Sequence, residues 1–358
     1  MKIRSHTRAL LAGATSGIVG TTLIVGAVSG VANAQPISAS YRVAQTWNHV
    51  GSTPHFSGVD ERLHKVFVSN LAAGTLTVLN SQTGAPITTI TLGGTVHTVV
   101  VDQQNQRVYV TDIARGLLDV IDAKTDTVIA EIPVAAHLHG LAVSQRLHEA
   151  FVTDISLSKV YAINIKTDTV IDPNGVSVGP NPWGVSVNPI TKMLYVTNTG
   201  INPYGGTATN PQGVNPAGNS VSVIDLRTMT VVSTVTVGPH PWNVIVDRRN
   251  GMEYVGVSSA NEVAVLQNDK VVKDIPVGSS PHGVVIDSWN HTLFVNNSVS
   301  NTVSVIDTTT NSVTQTIPVG TQPQGISVDQ RTGAAYVVNQ GSATVSVLKP
   351  TSSQKHDH

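Results

Sequence analysis

The chain has 358 residues with 21 Lys and Arg against 22 Asp and Glu, a balance that excludes a generally basic nucleic-acid binder and an acidic tail protein. Charged residues make up 12%, and the 40% hydrophobic share is mostly Val, Ile, Leu and Ala with only 4% aromatic, which favours strands over a helical core. Cysteine is absent, so disulfides, thiolate-held zinc, iron–sulfur clusters and thiol nucleophiles are excluded.

Residues 1–34 begin with Lys2, Arg4 and Arg8, run uncharged from Ala9 to Val31, and end in Ala32-Asn33-Ala34. This pattern predicts a secretory signal peptide cleaved after Ala34, leaving a secreted, periplasmic or cell-surface protein with no membrane segment. No Cys follows to take a lipid and no twin Arg precedes, so the general secretion route is expected.

From there the chain repeats itself to its end. One column precedes the first strand of each unit and holds His55, His97, His139, Trp183, Trp242, His282 and Gln324, at intervals of 42, 42, 44, 59, 40 and 42 residues. Val50-Gly51, Val178-Gly179, Val237-Gly238, Val277-Gly278 and Val319-Gly320 stand just ahead of it, usually followed by Pro. Each unit reads as four short strands; in the sixth they are 283–287, 292–296, 302–306 and 312–318. Asn80, Asp122, Asn164, Asp225 and Asp307 each have Thr three residues on, which predicts side-chain-to-backbone turns after the third strands.

Four-strand repeats of this length predict an all-β, seven-bladed β-propeller over residues 35–349, with a polar tail at 350–358. The last unit is too short for its outermost strand. A shift of 269 lays residues 42–51 over 311–320, so the N-terminal strand is expected to complete the last blade and remove an open edge.

The second strands read Phe67-Val68-Ser69-Asn70, Tyr109-Val110-Thr111-Asp112, Phe151-Val152-Thr153-Asp154, Tyr195-Val196-Thr197-Asn198 and Phe294-Val295-Asn296-Asn297. This resembles the YVTN-repeat β-propeller family, across essentially all of residues 41–349. The resemblance implies the fold and leaves the function open, since relatives include surface-layer components, ligand binders and some metalloenzymes. The fifth unit departs from the motif, with Tyr254-Val255-Gly256-Val257.

In such a ring two columns meet at one mouth of the channel. The first carries His55, His97, His139 and His282 with Trp183 and Trp242; the second ends the YVTN strand with Asn70, Asp112, Asp154, Asn198, Asn297 and Asn339. Imidazoles suit Cu, Zn, Fe and Ni, so the four His are candidate metal ligands, with copper favoured over zinc. Asp112 and Asp154 would orient them or complete the shell, as would His137 and His240, two residues before the first column. The competing reading packs these His against loops with no ligand. His64, His148 and His291 form another column, expected as turn residues on the opposite face; His356 and His358 belong to the tail. A 59-residue interval marks an uncharged, Gly- and Pro-rich insertion in blade four, residues 199–219, from which Tyr204 would reach over the mouth.

The expected function is an exported propeller binding a transition metal or a small-molecule ligand or substrate at a His-lined mouth. If catalytic, it would be a copper-dependent oxidoreductase or a metal-assisted hydrolase or lyase. Two alternatives stand beside it: a metal-free cell-surface or extracellular scaffold for a protein partner, and a metal-independent lyase or lactonase with a mouth His as general base. Nucleic acid is not expected as a partner, and the chain is expected to be a monomer.

Overall fold

The computed structural model describes residues 39–203, 215 and 217–351. The expected signal segment and its expected cleavage point after Ala34, Tyr204 with most of the blade-four insertion, and the histidines of the tail lie outside the described residues. Within the described unit, seven small antiparallel sheets form a seven-bladed β-propeller. The four strands of blade one run Pro54–Asp60, Lys65–Asn70, Thr75–Asn80 and Pro86–Thr91, from the channel outward. Blade two starts at Val96–Asp102, blade three at Leu138–Ser144, blade four at Pro182–Asn188, blade five at Pro241–Asp247, blade six at Pro281–Asp287 and blade seven at Pro323–Val328. Among the described residues the only helical element is one 3-10 turn, Ser258–Ala260, and no helix is long and apolar enough to cross a membrane.

The ring closes as expected: Tyr41–Trp47 pairs antiparallel with Thr344–Pro350 as the outer strand of blade seven. The register differs from the expected one by a residue. Trp47 faces Val345 as Ile317 faces the corresponding Val303 in blade six, an offset of 270 rather than 269. The cause is one extra residue between Trp47 and Val50, compared with the span from Ile317 to Val319. Because a one-residue slip exchanges the two faces of a strand, this extra residue is what buries Tyr41 and Trp47.

The letters of the YVTN motif have separate structural jobs. The aromatic at the first position is buried in all seven blades and packs into the next sheet: Phe67 against Val99 and Val108, Phe151 against Val185 and Leu194, Tyr336 against Val59 and Val66. Each such ring removes enough apolar surface from water to contribute roughly 2–3 kcal/mol. The Asn at the fourth position clamps its own hairpin: Asn70 Nδ2 donates to Thr75 Oγ1 and Thr77 Oγ1, and Asn198, Asn297 and Asn339 do the same with hydroxyls of their third strands. Gly51, at φ 97°, lies against the Asn70 amide and Gly320 against Asn339, so that a β-carbon at either would collide with the clamp.

The third position ties one blade to the next. Ser69 Oγ donates to the His97 carbonyl (2.6 Å), Thr111 Oγ1 to that of His139 (3.0 Å), Thr153 Oγ1 to that of Trp183 (2.8 Å) and Thr197 Oγ1 to that of Trp242 (2.7 Å). In blade five, where Gly256 replaces the hydroxyl residue, Asn243 Nδ2 reaches the His282 carbonyl instead (3.0 Å), and in blade six Asn296 Nδ2 reaches that of Gln324 (3.1 Å). The seventh seam carries Val338 in this position, and a Ser57–Ser327 hydroxyl pair at 2.8 Å stands there instead.

The turns after the third strands are as expected. The Oδ1 atoms of Asn80, Asp122, Asn164 and Asp307 accept the amide of the Thr three residues on, while Asp225 accepts that of Arg227. Blade five replaces this turn with Asn268 and Asp269, both at positive φ, a tight two-residue hairpin that accounts for its shorter interval. His64, His148 and His291 also have φ between 50° and 58°, in the turns after the inner strands.

Candidate functional site at the channel mouth

The residue that enters each inner strand is placed by backbone. In six of the seven its carbonyl is held by the preceding blade, His55 being the exception, and in all seven the residue lines the channel mouth. His55, His97, His139, Trp183, Trp242 and His282 thereby form a circuit, with successive ring centroids 4.6, 4.6, 4.2, 4.3 and 5.1 Å apart and 6.2 Å from His282 back to His55. Gln324 fills the remaining place in the column, and all seven line one recess of about 430 Å³.

Two imidazoles meet directly: His55 Nε2 and His97 Nε2 are 3.1 Å apart. Each ring is held from behind. Gln340 Nε2 lies 3.2 Å from His55 Nδ1, and Thr98 Oγ1 lies 3.0 Å from His97 Nδ1. With Gln340 donating, His55 carries its proton on Nε2 and gives it to the lone pair of His97, which carries its own proton on Nδ1 and gives it to Thr98. The chain Gln340–His55–His97–Thr98 is then satisfied with both rings neutral.

Burial enforces that neutrality. Desolvation pushes His55 and His97 well below the usual imidazole range, with neighbouring imidazoles adding to the effect. It brings His139 down to about 3, with His55 and His137 contributing, and His282 down to about 4, with the Gln324 backbone opposing. Every imidazole of the circuit therefore presents a neutral ring at physiological pH. Trp183 Nε1 is buried at the same mouth without a hydrogen-bond acceptor among the described residues.

The expected surrounding groups divide. His137 and His240 sit on the same face at positive φ, their Nδ1 atoms 2.7 and 2.6 Å from Ser156 Oγ and Ser259 Oγ. Asp112 is not brought to the imidazoles: its Oδ1 accepts the amides of Thr95, Ala114 and Arg115, and its Oδ2 lies 2.5 Å from Arg115 Nε. The reason is local, because blade two has Leu117 and Asp119 where the Asn blades have hydroxyls, and Arg115 bridges both carboxylates. Asp154 Oδ1 accepts the amides of Ser156 and Leu157 in the same way, and its Oδ2 is buried without a hydrogen bond among the described residues. The blade-four insertion leaves from the mouth face, and Pro203 forms part of the recess wall.

Sequence reasoning did not single out Phe56 or Gln340. Phe56 follows His55 in a column otherwise held by Thr98, Gly140, Gly184, Asn243, Gly283 and Gly325. Its ring lies 5.1 Å from that of His97 and 6.2 Å from that of His282, reaching past Gly325, where any β-carbon would meet it. One large side chain in a column of small ones was the available signal. Among the described residues, no group of three or more His, Cys, Asp or Glu side chains is already arranged to hold a metal ion.

No protein-family model matches the chain, and no curated protein matches it either. Among solved structures it is similar to one described as Kuenenia stuttgartiensis hydrazine synthase, with a TM-score of 0.68 and 15% sequence identity over 85% of this chain and 97% of that one. At that identity the likeness shows the propeller fold.

Proposed function

We propose that the protein is an exported relative of the YVTN-repeat propellers that binds a transition metal, copper before zinc, between His55 and His97 at the channel mouth, with a small polar ligand completing the site. The observation that carries this reading is the 3.1 Å separation of two neutral Nε2 atoms. Two nitrogens each ~2.05 Å from one ion, at an angle of about 100°, stand ~3.1 Å apart. The pair is thus already spaced as two ligands, at an angle between square-planar and tetrahedral. His139, whose ring is 4.6 Å from that of His97, is the nearest further donor. An all-nitrogen set without thiolate or carboxylate follows the general affinity order that puts Cu(II) above Zn(II).

Binding requires the proton between the two rings to leave Nε2 of His55. Gln340 permits this without net charge: turning its amide presents Oε1 to Nδ1, which takes the proton. Gln340 and Thr98 are then positioning residues that select the tautomer of each ligand. A bound ion would supply Lewis acidity or a redox centre at an aromatic-walled recess.

Metal analysis of exported protein lacking the 350–358 tail, loaded with copper and zinc and desalted, tests the proposal. About one ion per chain is expected, falling below about 0.1 in the His55→Ala, His97→Ala double variant. Wild-type occupancy below about 0.1, or occupancy unchanged in the double variant, overturns it. A metal-free scaffold is the second reading, favoured by Leu157 (52% exposed) and Val299 (70% exposed) on the mouth-face loops.

A further inference from the structure

The far end of the channel is a different chamber. It has a volume of about 680 Å³ and shares no lining residue with the mouth recess. Its walls are the inner strands, with Val99, Val143, Val185 and Ile326 among the lining residues. A cavity of this size with apolar walls lies within the range that holds small ligands.

The rim of this chamber is polar and asymmetric. On one side it is sealed: Gln103 Oε1 accepts the Glu61 amide (3.0 Å), Glu61 Oε1 accepts the Gln330 amide (2.8 Å) and Gln330 Oε1 accepts the Ser288 amide (3.2 Å). Burial raises the pKa of the Glu61 carboxyl, with Asp329 adding to the effect and the Gln330 amide and Arg331 opposing it. On the other side the ladder is interrupted: Gln145, Pro189, Arg248 and Ser288 hold the equivalent positions, and among the described residues none of their side chains accepts the neighbouring amide. Arg248 borders the chamber and forms no ion pair or hydrogen bond among the described residues. Arg249, beside it, stacks on Trp289 with its guanidinium carbon 4.6 Å from the ring centroid and likewise has no carboxylate partner.

We propose that this chamber is a second binding site, for a small amphiphilic carboxylate whose alkyl or aryl body lies among the valines and whose charge is received by Arg248. Arg248 remains solvent-accessible, yet surrounding protein lowers its pKa with no acid nearby to offset the cost. A guanidinium in that setting gains from a planar anion that pairs with its fork of donors. The apolar walls add the requirement for a hydrocarbon body, which distinguishes the ligand from a bare anion. Nothing in this assignment depends on the imidazoles of the mouth.

Calorimetric titration of the full chain with decanoate, 1-decanol and acetate tests it. Decanoate is expected to bind one per chain, 1-decanol at least about tenfold more weakly, and acetate without measurable heat up to about 1 mM. Arg248→Gln should weaken decanoate by about tenfold or more, to the level of the alcohol, at an unchanged melting temperature. Val143→Phe, at a partly exposed lining position of the blade-three inner strand, should remove decanoate binding, and the His55→Ala, His97→Ala variant should retain it. Decanoate bound equally by Arg248→Gln and wild type, acetate bound as tightly as decanoate, or no heat from decanoate would overturn the proposal.

Discussion

The two ends of the channel are made by the same seven strands and have opposite character. At the mouth, where six of the seven column carbonyls are latched by the preceding blade, six large rings stand with successive centroids 4.2–6.2 Å apart. At the far end, valine walls leave an open chamber with a discontinuous polar rim. The difference teaches that a repeat specifies position, while chemistry arises where a column is unusual. The mouth is unusual because four copies kept an imidazole. The far rim is unusual because Pro189 and Arg248 interrupt a ladder of side-chain-to-backbone bonds.

The sharpest way to separate the two ends is by ligand. His55→Ala alone should lower copper affinity about 100-fold in a competition titration, and Arg248→Gln should leave it unchanged. Equal losses from both would mean the ends are not independent. Next in size is the latch that builds the mouth. Thr153→Val keeps the shape of the buried side chain but strands the Trp183 carbonyl and the Gly140 amide, which both bond to Thr153 Oγ1. It should cost about 2 kcal/mol in urea unfolding. Val338→Thr at the closing seam breaks no bond and should cost much less.

Acid should then act on the mouth in particular. Folded His139 and His282 titrate near about 3 and about 4 against an ordinary 6.5, because burial disfavours the charged ring. Between those values the unfolded chain binds protons that the folded chain refuses, so their contribution to stability is full above pH ~6.5 and is lost as pH falls. Glu253, raised by burial to about 7, and Asp119, raised to about 6, act in the reverse sense. The informative measurement is therefore a difference. Between pH 7 and 4.5 the wild type should lose about 3 °C more in melting temperature than His282→Gln. The smallest effect belongs to the turns: Asn164→Ala, removing bonds to the amides of Lys166 and Thr167, should cost about 1 kcal/mol.

Blade number, strand order and closure by the N-terminal strand were legible because an interval near 42 residues repeats and the last unit runs short. The turns were legible too, since Asx chemistry is local. The register of the closing strand was off by one because matching Val50-Gly51 to Val319-Gly320 hides a residue inserted between Trp47 and Val50. At the site, the His column was readable, but its spacing was not. Whether His55 meets His97 at 3.1 Å depends on blade tilt and on Gln340, which belongs to blade seven and is 285 residues away from His55 in sequence. Asp112 misled because a carboxylate facing the right way is also the best partner for Arg115, three residues on. The hydroxyl of the YVTN strand had no readable role until the next blade was in place beside it.

That hydroxyl has a consequence for how such a protein changes over time. Because Thr153 and Thr197 grip main chain and not side chain, the residues they secure, Trp183 and Trp242, are exchangeable fittings in a standard socket. Substitution there alters what the orifice presents without loosening the frame that presents it. One scaffold is thereby free to acquire, lose or trade ligands by single codon changes around its rim.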